Sequence, residues 1–220
     1  VAEASLRPGG LADLYDGAVD GAPTGAWVDR VAGHLRDRDA LLLGTRAVEI
    51  DPCGRVTLLE RRDGRLAVLS VTAQIVVLAA GWRERPLPFA DNDRPGVMLA
   101  TAARAFLRRH AIAPGTRVVV ATTSDEGHRT AVDLREAGVE VEMILDSRDD
   151  PQGPAVDQAK ALGLSMSFAS VVVGVDADES GERLRGVRAR NRDGDGLSAA
   201  ARTLFADALV VSGGLAPRLE

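Results

Sequence analysis

Residues 75–121 read IVVLAAGWRERPLPFADNDRPGVMLATAARAFLRRHAIAPGTRVVVA. A continuous apolar run, Ile75–Ala79, ends at Gly81. A Pro-rich link follows at Pro86–Pro95, then helical spacing over 97–110, then a second apolar run at Val118–Ala121. Short apolar runs without alternation predict strands buried on both faces, the kind found in parallel sheets. Strand, link, helix, strand is the order in which one dinucleotide-binding domain hands over to another.

The same reading extends both ways along the chain. Upstream, Val1–Glu3 reads as the tail of a strand, Pro8-Gly9-Gly10 as a turn and 26–37 as a helix carrying Trp27, Val31 and Leu35. Leu41–Leu43, Arg46–Ile50, Val56–Arg61 and Leu66–Val71 are short strand-like runs punctuated by Asp-Pro, Cys-Gly and Asp-Gly turn signals. Downstream, Gly127–Ala137 is helical and stops at Gly138, as helices often stop at glycine. Val139–Leu145 is the next strand, and Pro154–Leu162 the next helix. Val171–Val175 and Leu184–Arg190 form a hairpin, and Leu209–Val211 is a buried strand running into Ser212-Gly213-Gly214. Strands alternating with helices predict parallel sheets with helical crossovers. The fold class is therefore α/β: two Rossmann-like dinucleotide-binding domains of the glutathione-reductase type, the first incomplete, with a small antiparallel β-meander. The expected division is 1–90 with 206–220 as a partial first domain, and 91–205 as an inserted second, NAD-binding-like domain. Both ends read as cut from a longer protein.

Composition narrows the function classes. The chain has 220 residues, 45% of them apolar, and a formal charge of −5. That charge gives no electrostatic case for nucleic acid or an anionic membrane. Cys53 is the one cysteine, which excludes a disulfide framework and a dithiol relay within the chain. No run approaches the roughly 18 apolar residues that span a bilayer. The opening VAEASLRPGG lacks a basic start and an apolar core, so a cytoplasmic location is expected.

Three places can carry cofactor chemistry. Glu3, an acid ending a strand, can accept hydrogen bonds from both ribose hydroxyls of an adenine dinucleotide. Gly9 and Gly10 follow, where the backbone turns tightly or passes close to a ligand. A surface acid before an ordinary turn has the same text, and the Gly-rich partner loop would lie about 20 residues upstream of such an acid. The second place is Ala80-Gly81, where small residues let the backbone approach a dinucleotide, although a glycine after an apolar run is common in α/β proteins. The third is the loop Ala121-Thr122-Thr123-Ser124-Asp125-Glu126-Gly127. A phosphate loop would read GxGxxG here, and only Gly127 is present. Hydroxyls of Thr122, Thr123 and Ser124 could donate to a phosphate at the following helix N-terminus, while Asp125 and Glu126 oppose an anion or simply cap the helix. Asp146 ends the next strand, where a ribose-binding acid belongs and where it would favour NAD over NADP. His34, His110 and His128 have no metal-ligand spacing; His128 reads as a solvated helix residue or a cofactor contact. No GxSxG occurs, and no residue stands out as an acid, base or nucleophile, as expected where cofactors carry the redox chemistry.

The stretch from LAAGWRERPLPF through NDRPGVMLA to AGVEV resembles the alpha subunit of heterotetrameric sarcosine oxidase. Glu84-Arg85-Pro86, Asn92–Ala100, Phe106 and the SGG at 212–214 with Pro217 carry the likeness, which is strongest over 75–145. It implies a two-dinucleotide fold that holds NAD or FAD, with Gly213 and Gly214 beside Glu3, Gly9, Gly10 and Gly81 at the first cofactor. It also implies a beta subunit as partner and an amine substrate, sarcosine, demethylated to glycine with electrons passed between flavins to oxygen. The family's N-terminal domain and its C-terminal aminomethyltransferase-like domain are expected to lie outside this sequence. Departures are Thr123-Ser124-Asp125 for an Asn-Asn-Asp-type loop, Ala80 for a threonine, and Trp82-Arg83 for Ala-His. Two other readings stand: an FAD-dependent opine or amino-acid dehydrogenase subunit, and a non-catalytic scaffold with a degenerate second cofactor site.

Overall fold

The computed structural model describes residues 1–194 and 196–218. Residues 219–220, the end of the stretch assigned above to the first domain, lie outside the described residues. The chain forms two compact units, Val1–Gly81 and Trp82–Glu220.

In the first unit, β1 (Ala2–Glu3) is followed by a short 3-10 turn at Ala12–Leu14, a small hairpin of β2 (Ala18–Val19) and β3 (Ala22–Pro23), and helix α1 (Thr24–Arg36). Strand β4 (Leu42–Leu43) pairs in parallel with β1, placing Leu43 opposite Glu3. The expected meander is present as β5 (Thr45–Ile50), β6 (Arg55–Arg62) and β7 (Arg65–Thr72), antiparallel throughout. Val56 and Leu58 of the central strand are its buried residues. The expected buried strand at Ile75–Ala79 is not formed. Ile75 and Val77 are 81% and 82% exposed, and no strand among the described residues pairs with the run. An apolar segment is buried on both faces only where strands flank it and layers cover it, and the described part of this unit supplies neither.

The second unit contains β8 (Trp82–Glu84), β9 (Val97–Leu99), α2 (Ala100–His110), β10 (Arg117–Thr122), α3 (Asp125–Glu136), β11 (Glu140–Asp146), α4 (Pro154–Ala161), β12 (Met166–Ser167), β13 (Ser170–Ala177), β14 (Leu184–Asp193), β15 (Gly196–Leu197), β16 (Arg202–Phe205), β17 (Ala208–Ser212) and β18 (Leu215–Pro217). Its parallel sheet has the order β12-β11-β10-β17-β9. Helices cover one face and the antiparallel β13-β14-β16 meander the other. This two-sided cover explains the unalternated runs. Val118, Val120, Ile144, Ala208 and Val210 join the core with α3 residues Ala131 and Leu134. Val119, Ala121, Leu145, Leu209 and Val211 join the core with Val187 and Ala189 of the meander. Each fully buried valine or leucine contributes about 1.5–3 kcal/mol.

Two boundaries differ from the sequence reading. Val97–Leu99 is a strand at the sheet edge, paired with Leu209–Val211, and the helix begins only at Ala100. Residues 208–212, expected to return to the first domain, lie inside the second unit between β10 and β9. A strand apolar on both faces needs layers on both sides, and this unit provides them.

Much of the stretch 84–96 has a structural task. Helix α2 starts after Leu99, which has no side chain to cap it. Glu84 caps it instead, 17 residues away in sequence: its Oε2 accepts from the Thr101 N–H at 2.7 Å and the Thr101 hydroxyl at 2.8 Å. A carboxylate there also suits the positive end of the helix dipole. Replacing Glu84 by alanine is expected to cost about 1–2 kcal/mol, the upper range for a lost cap, measured as a shift in urea midpoint. Glu84→Gln keeps one acceptor and is expected to lose less. Arg94 donates to the Gly181 carbonyl at 2.8 Å, tying the link to the turn of the meander. Gly96 has φ +100°, and a Cβ there would sit 2.9 Å from that of Leu184.

Candidate functional site

In the first unit, Glu3 sits half-buried at the carboxyl end of the parallel pair β1-β4. Its Oε1 accepts from the Ser5 N–H at 2.9 Å. Gly9 and Gly10 both take positive φ, +99° and +57°. At Gly9 the missing side chain makes room for Val28, whose Cγ1 would lie 2.8 Å from a Cβ, whereas the space at Gly10 is open. Gly9 is thus required by helix α1 packing on the turn. Ala80 and Gly81 lie on exposed backbone, Gly81 with φ +72°.

In the second unit, the crossover β10-α3-β11 brings Thr122, Thr123, Ser124, Asp125 and Asp146 to one end of the sheet, with Thr122 opposite Asp146. These residues bond to the protein itself. The Thr122 hydroxyl donates to the Ser124 carbonyl at 2.7 Å and accepts from the Ser124 N–H at 3.0 Å. Gly127 packs directly on Thr122, whose Cβ would be 2.3 Å from an added methyl. That glycine serves close helix–strand approach, one of the tasks of glycine in a phosphate-loop fingerprint. The Thr123 N–H donates to the Ser212 carbonyl at 3.0 Å, and the Ser124 and Ser212 hydroxyls are 3.4 Å apart. Gly213 and Gly214 belong to this unit. The Gly213 N–H donates to the Arg85 carbonyl at 2.8 Å and the Arg85 N–H to the Gly214 carbonyl at 2.9 Å, closing the β8-β18 ribbon.

Asp146 is 0% exposed. Its Oδ2 accepts from His128 Nε2 at 2.7 Å and from Arg148 Nη2 at 2.8 Å, and its Oδ1 from the Arg148 N–H at 3.0 Å and Nε at 3.1 Å. A carboxylate has about four lone-pair sites, and all four are taken. Burial alone would raise its pKa, but the His128 and Arg148 hydrogen bonds outweigh burial and hold it below the usual carboxylate range. Arg148 reaches on to Asp125, Nη1 to Oδ1, at 2.9 Å. Its guanidinium is held above its ordinary range by the hydrogen bond to Asp146 first, against burial, with Asp125 adding to the rise.

Arg148 is a site residue that sequence reading did not find, and His128 reads from sequence as a solvated helix residue or a cofactor contact. His128 is not solvated: it is 0% exposed. The signal was present, since His128 stands three and four residues before the buried Ala131 and Val132, on the core face of α3. Arg148 stands two residues after the acid, where the chain turns back and returns its side chain to the carboxylate.

Beside this network, on the meander side, lies a cavity of about 170 Å³, lined by Leu87, Phe89, Ala121, Thr123, Leu145 and Ser170 among others. Pockets for drug-sized ligands run to about 300–1,000 Å³. No group of three or more metal-ligating side chains occurs among the described residues, and no helix is long and apolar enough to cross a membrane.

No protein-family model matches the chain. It is 33% identical over 222 residues to the sarcosine oxidase subunit alpha of Corynebacterium sp. (strain P-1), covering 95% of this chain and 23% of that protein. Against the sarcosine oxidase subunit alpha of Rhizobium meliloti (strain 1021) it is 40% identical over 61% of this chain and 11% of the relative. The chain thus spans about a quarter or less of the curated relatives it matches. The solved structure of T. acidophilum thioredoxin reductase superposes with a TM-score of 0.70 at 14% identity, covering 99% of this chain and 69% of that one. An FAD-dependent pyridine nucleotide-disulphide oxidoreductase from Desulfovibrio vulgaris gives 0.57 at 20% identity, covering 91% and 52%. The fold is therefore that of the two-dinucleotide oxidoreductases, and the chain is a relative of the sarcosine oxidase alpha subunits.

Proposed function

We propose that this relative of the sarcosine oxidase alpha subunits is the dinucleotide-holding part of a flavin-dependent oxidoreductase acting on CH–NH donors. Its complex would demethylate sarcosine, or a closely similar secondary amine, to the primary amine. The observation that supports this most directly is sequence identity to such alpha subunits across 95% of the chain. The partner in this reading is a beta subunit that carries the amine-oxidising flavin, and the location is the cytoplasm.

The first unit holds the cofactor, NAD or FAD, in this proposal. Glu3 accepts the ribose hydroxyls, Gly10 leaves open space beside the turn, and the bare backbone at Ala80-Gly81 permits close approach. A flavin bound in the complex would supply the two-electron oxidation of the amine. The chain's own groups bind and orient in this reading: the buried histidine–carboxylate pair, His128 with Asp146, is 0% exposed and closed off within the protein. A scaffold role for the second unit is favoured by one observation, the saturation of Asp146 by His128 and Arg148.

The test is to express the full-length protein with its neighbouring subunit and identify the released cofactors by absorbance and mass. Oxygen consumption is then followed with sarcosine and with opines as substrates. NAD or FAD released from the alpha chain, with turnover of sarcosine, is the expected result. A folded complex that carries neither NAD nor flavin would sink the proposal; turnover of opines alone would move the substrate to the opine class.

A further inference from the structure

We propose that Arg148 decides whether the second unit takes a nucleotide, and that in this chain it keeps the cleft closed to adenine dinucleotides. This rests on the reading of that unit as a dinucleotide-type domain. In an open parallel sheet the ligand crevice lies outside the carboxyl ends of the strands, where the strand order reverses. Here that point is between β10 and β17, with the adenosine half extending over β11. The adenosine half is closed from within by Arg148. At β10 and β17, the Thr123 N–H is bonded to the Ser212 carbonyl and the Ser124 and Ser212 hydroxyls face each other. Over β11, Arg148 straps Asp146 to Asp125.

The strap takes both carboxylates at this end of the cleft, Asp146 and Asp125. The acid that would accept ribose hydroxyls has all four acceptor positions occupied. Asp125, the first residue of α3, puts a carboxylate and its guanidinium partner at the helix end where a pyrophosphate would go. The cation is neutralised by two aspartates, so it offers little to a phosphate. Arg148 can be removed without taking away the buried pair of Asp146 and His128. Its side chain is 32% exposed while those of Asp146 and His128 are 0% exposed. Without the guanidinium, Asp146 keeps His128 and the Arg148-position backbone N–H. It regains acceptor capacity toward a ribose, in the arrangement that discriminates against a 2′-phosphate.

The experiment uses the full-length protein as purified, with its first cofactor in place, titrated calorimetrically with NAD⁺, NADP⁺ and ADP-ribose. Hydrogen exchange of residues 122–127 and 146–148 is followed in parallel. Wild type is expected to take up no further dinucleotide to millimolar concentration and to show no added protection there. Arg148→Ala is expected to gain about one equivalent, with at least tenfold tighter binding of NAD⁺ than of NADP⁺ and protection of 122–127. Arg148→Gln serves as a second variant of nearer size. Wild type that binds NAD⁺ with protection of 122–127 overturns the proposal whether or not the variants fold. So does a folded Arg148→Ala or Arg148→Gln protein that gains no binding. Failure of the functional reading shows elsewhere, in the cofactor released from the complex, so the two are distinguishable.

Discussion

Arg104→Ala is expected to destabilise the second unit by about 3 kcal/mol, at the low end for breaking a buried ion pair. Arg104 lies on α2 and is 3% exposed. Its Nε donates to Asp133 Oδ2 at 2.5 Å, and its Nη1 is 3.4 Å from Glu126 Oε2. Both acids are on α3, so one guanidinium fastens the two helices. The loss falls at the low end because Arg108 stays within 2.8 Å of Asp133 Oδ1 and still compensates that charge. Arg104→Lys is expected to recover less than half, since lysine offers a point charge where the site is built for a fork. Arg108 is more exposed, and Arg108→Ala is expected to cost about 1 kcal/mol or less, nearer a surface pair. Urea denaturation followed by circular dichroism measures all three. A loss below about 1 kcal/mol for Arg104→Ala would show that the pair behaves as a solvated one and that apolar packing alone holds α2 to α3.

The second unit was the more legible of the two, for a physical reason. Val118–Ala121 and Leu209–Val211 are apolar on both faces because helices and meander cover both faces, and these runs mark their strands; Val139–Leu145 alternates with Glu140 and Glu142 before its apolar end at Met143–Leu145. The same pattern misled at Ile75–Ala79. An apolar run states what a segment can bury, and burial also requires neighbours. The pattern also could not say which sheet Leu209–Val211 joins, because periodicity carries no information on partners. At the site, Thr122, Ser124, Asp125 and Asp146 do converge, as their positions at strand ends and at a helix start dictate. What hydrogen-bond capacity remains to them was not legible. Asp146 as a ribose acid and Asp146 saturated by His128 and Arg148 have the same text around the acid. The difference lies in whether a histidine 18 residues upstream turns inward. The motif residues Glu84, Arg94 and Gly96 show the converse: they mark the resemblance, and the structure gives them caps and turns.

Asp146→Asn is expected to cost about 3 kcal/mol at neutral pH, and the cost is expected to shrink in acid. The amide keeps one acceptor oxygen and presents N–H groups where His128 and Arg148 already point donors. It therefore replaces charge-assisted hydrogen bonds, each worth about 1.5–3 kcal/mol, by a donor–donor conflict in a buried place. His128 Nδ1 already has no partner among the described residues, so losing the Nε2 acceptor leaves the whole ring unsatisfied. The pH dependence follows from linkage. The folded-state pKa of Asp146 lies below the ordinary value, about 3.9 for an unfolded aspartate. Between the two values the unfolded chain binds the proton and the folded chain does not, so stability rises with pH across that window. The contribution is complete above about pH 5 and is lost as pH falls through the folded value. Asp207 adds a second such group: burial alone would raise its pKa, but the Thr116 hydroxyl and the backbone N–H groups of Thr116 and Arg117 hold it down. Wild type should therefore lose stability steeply below about pH 4, and Asp146→Asn less steeply, so that their urea midpoints converge between pH 7 and pH 3. Parallel curves with a constant gap would mean that Asp146 is not held as a charged acceptor in the folded protein, and the strap through Arg148 would lose its electrostatic basis.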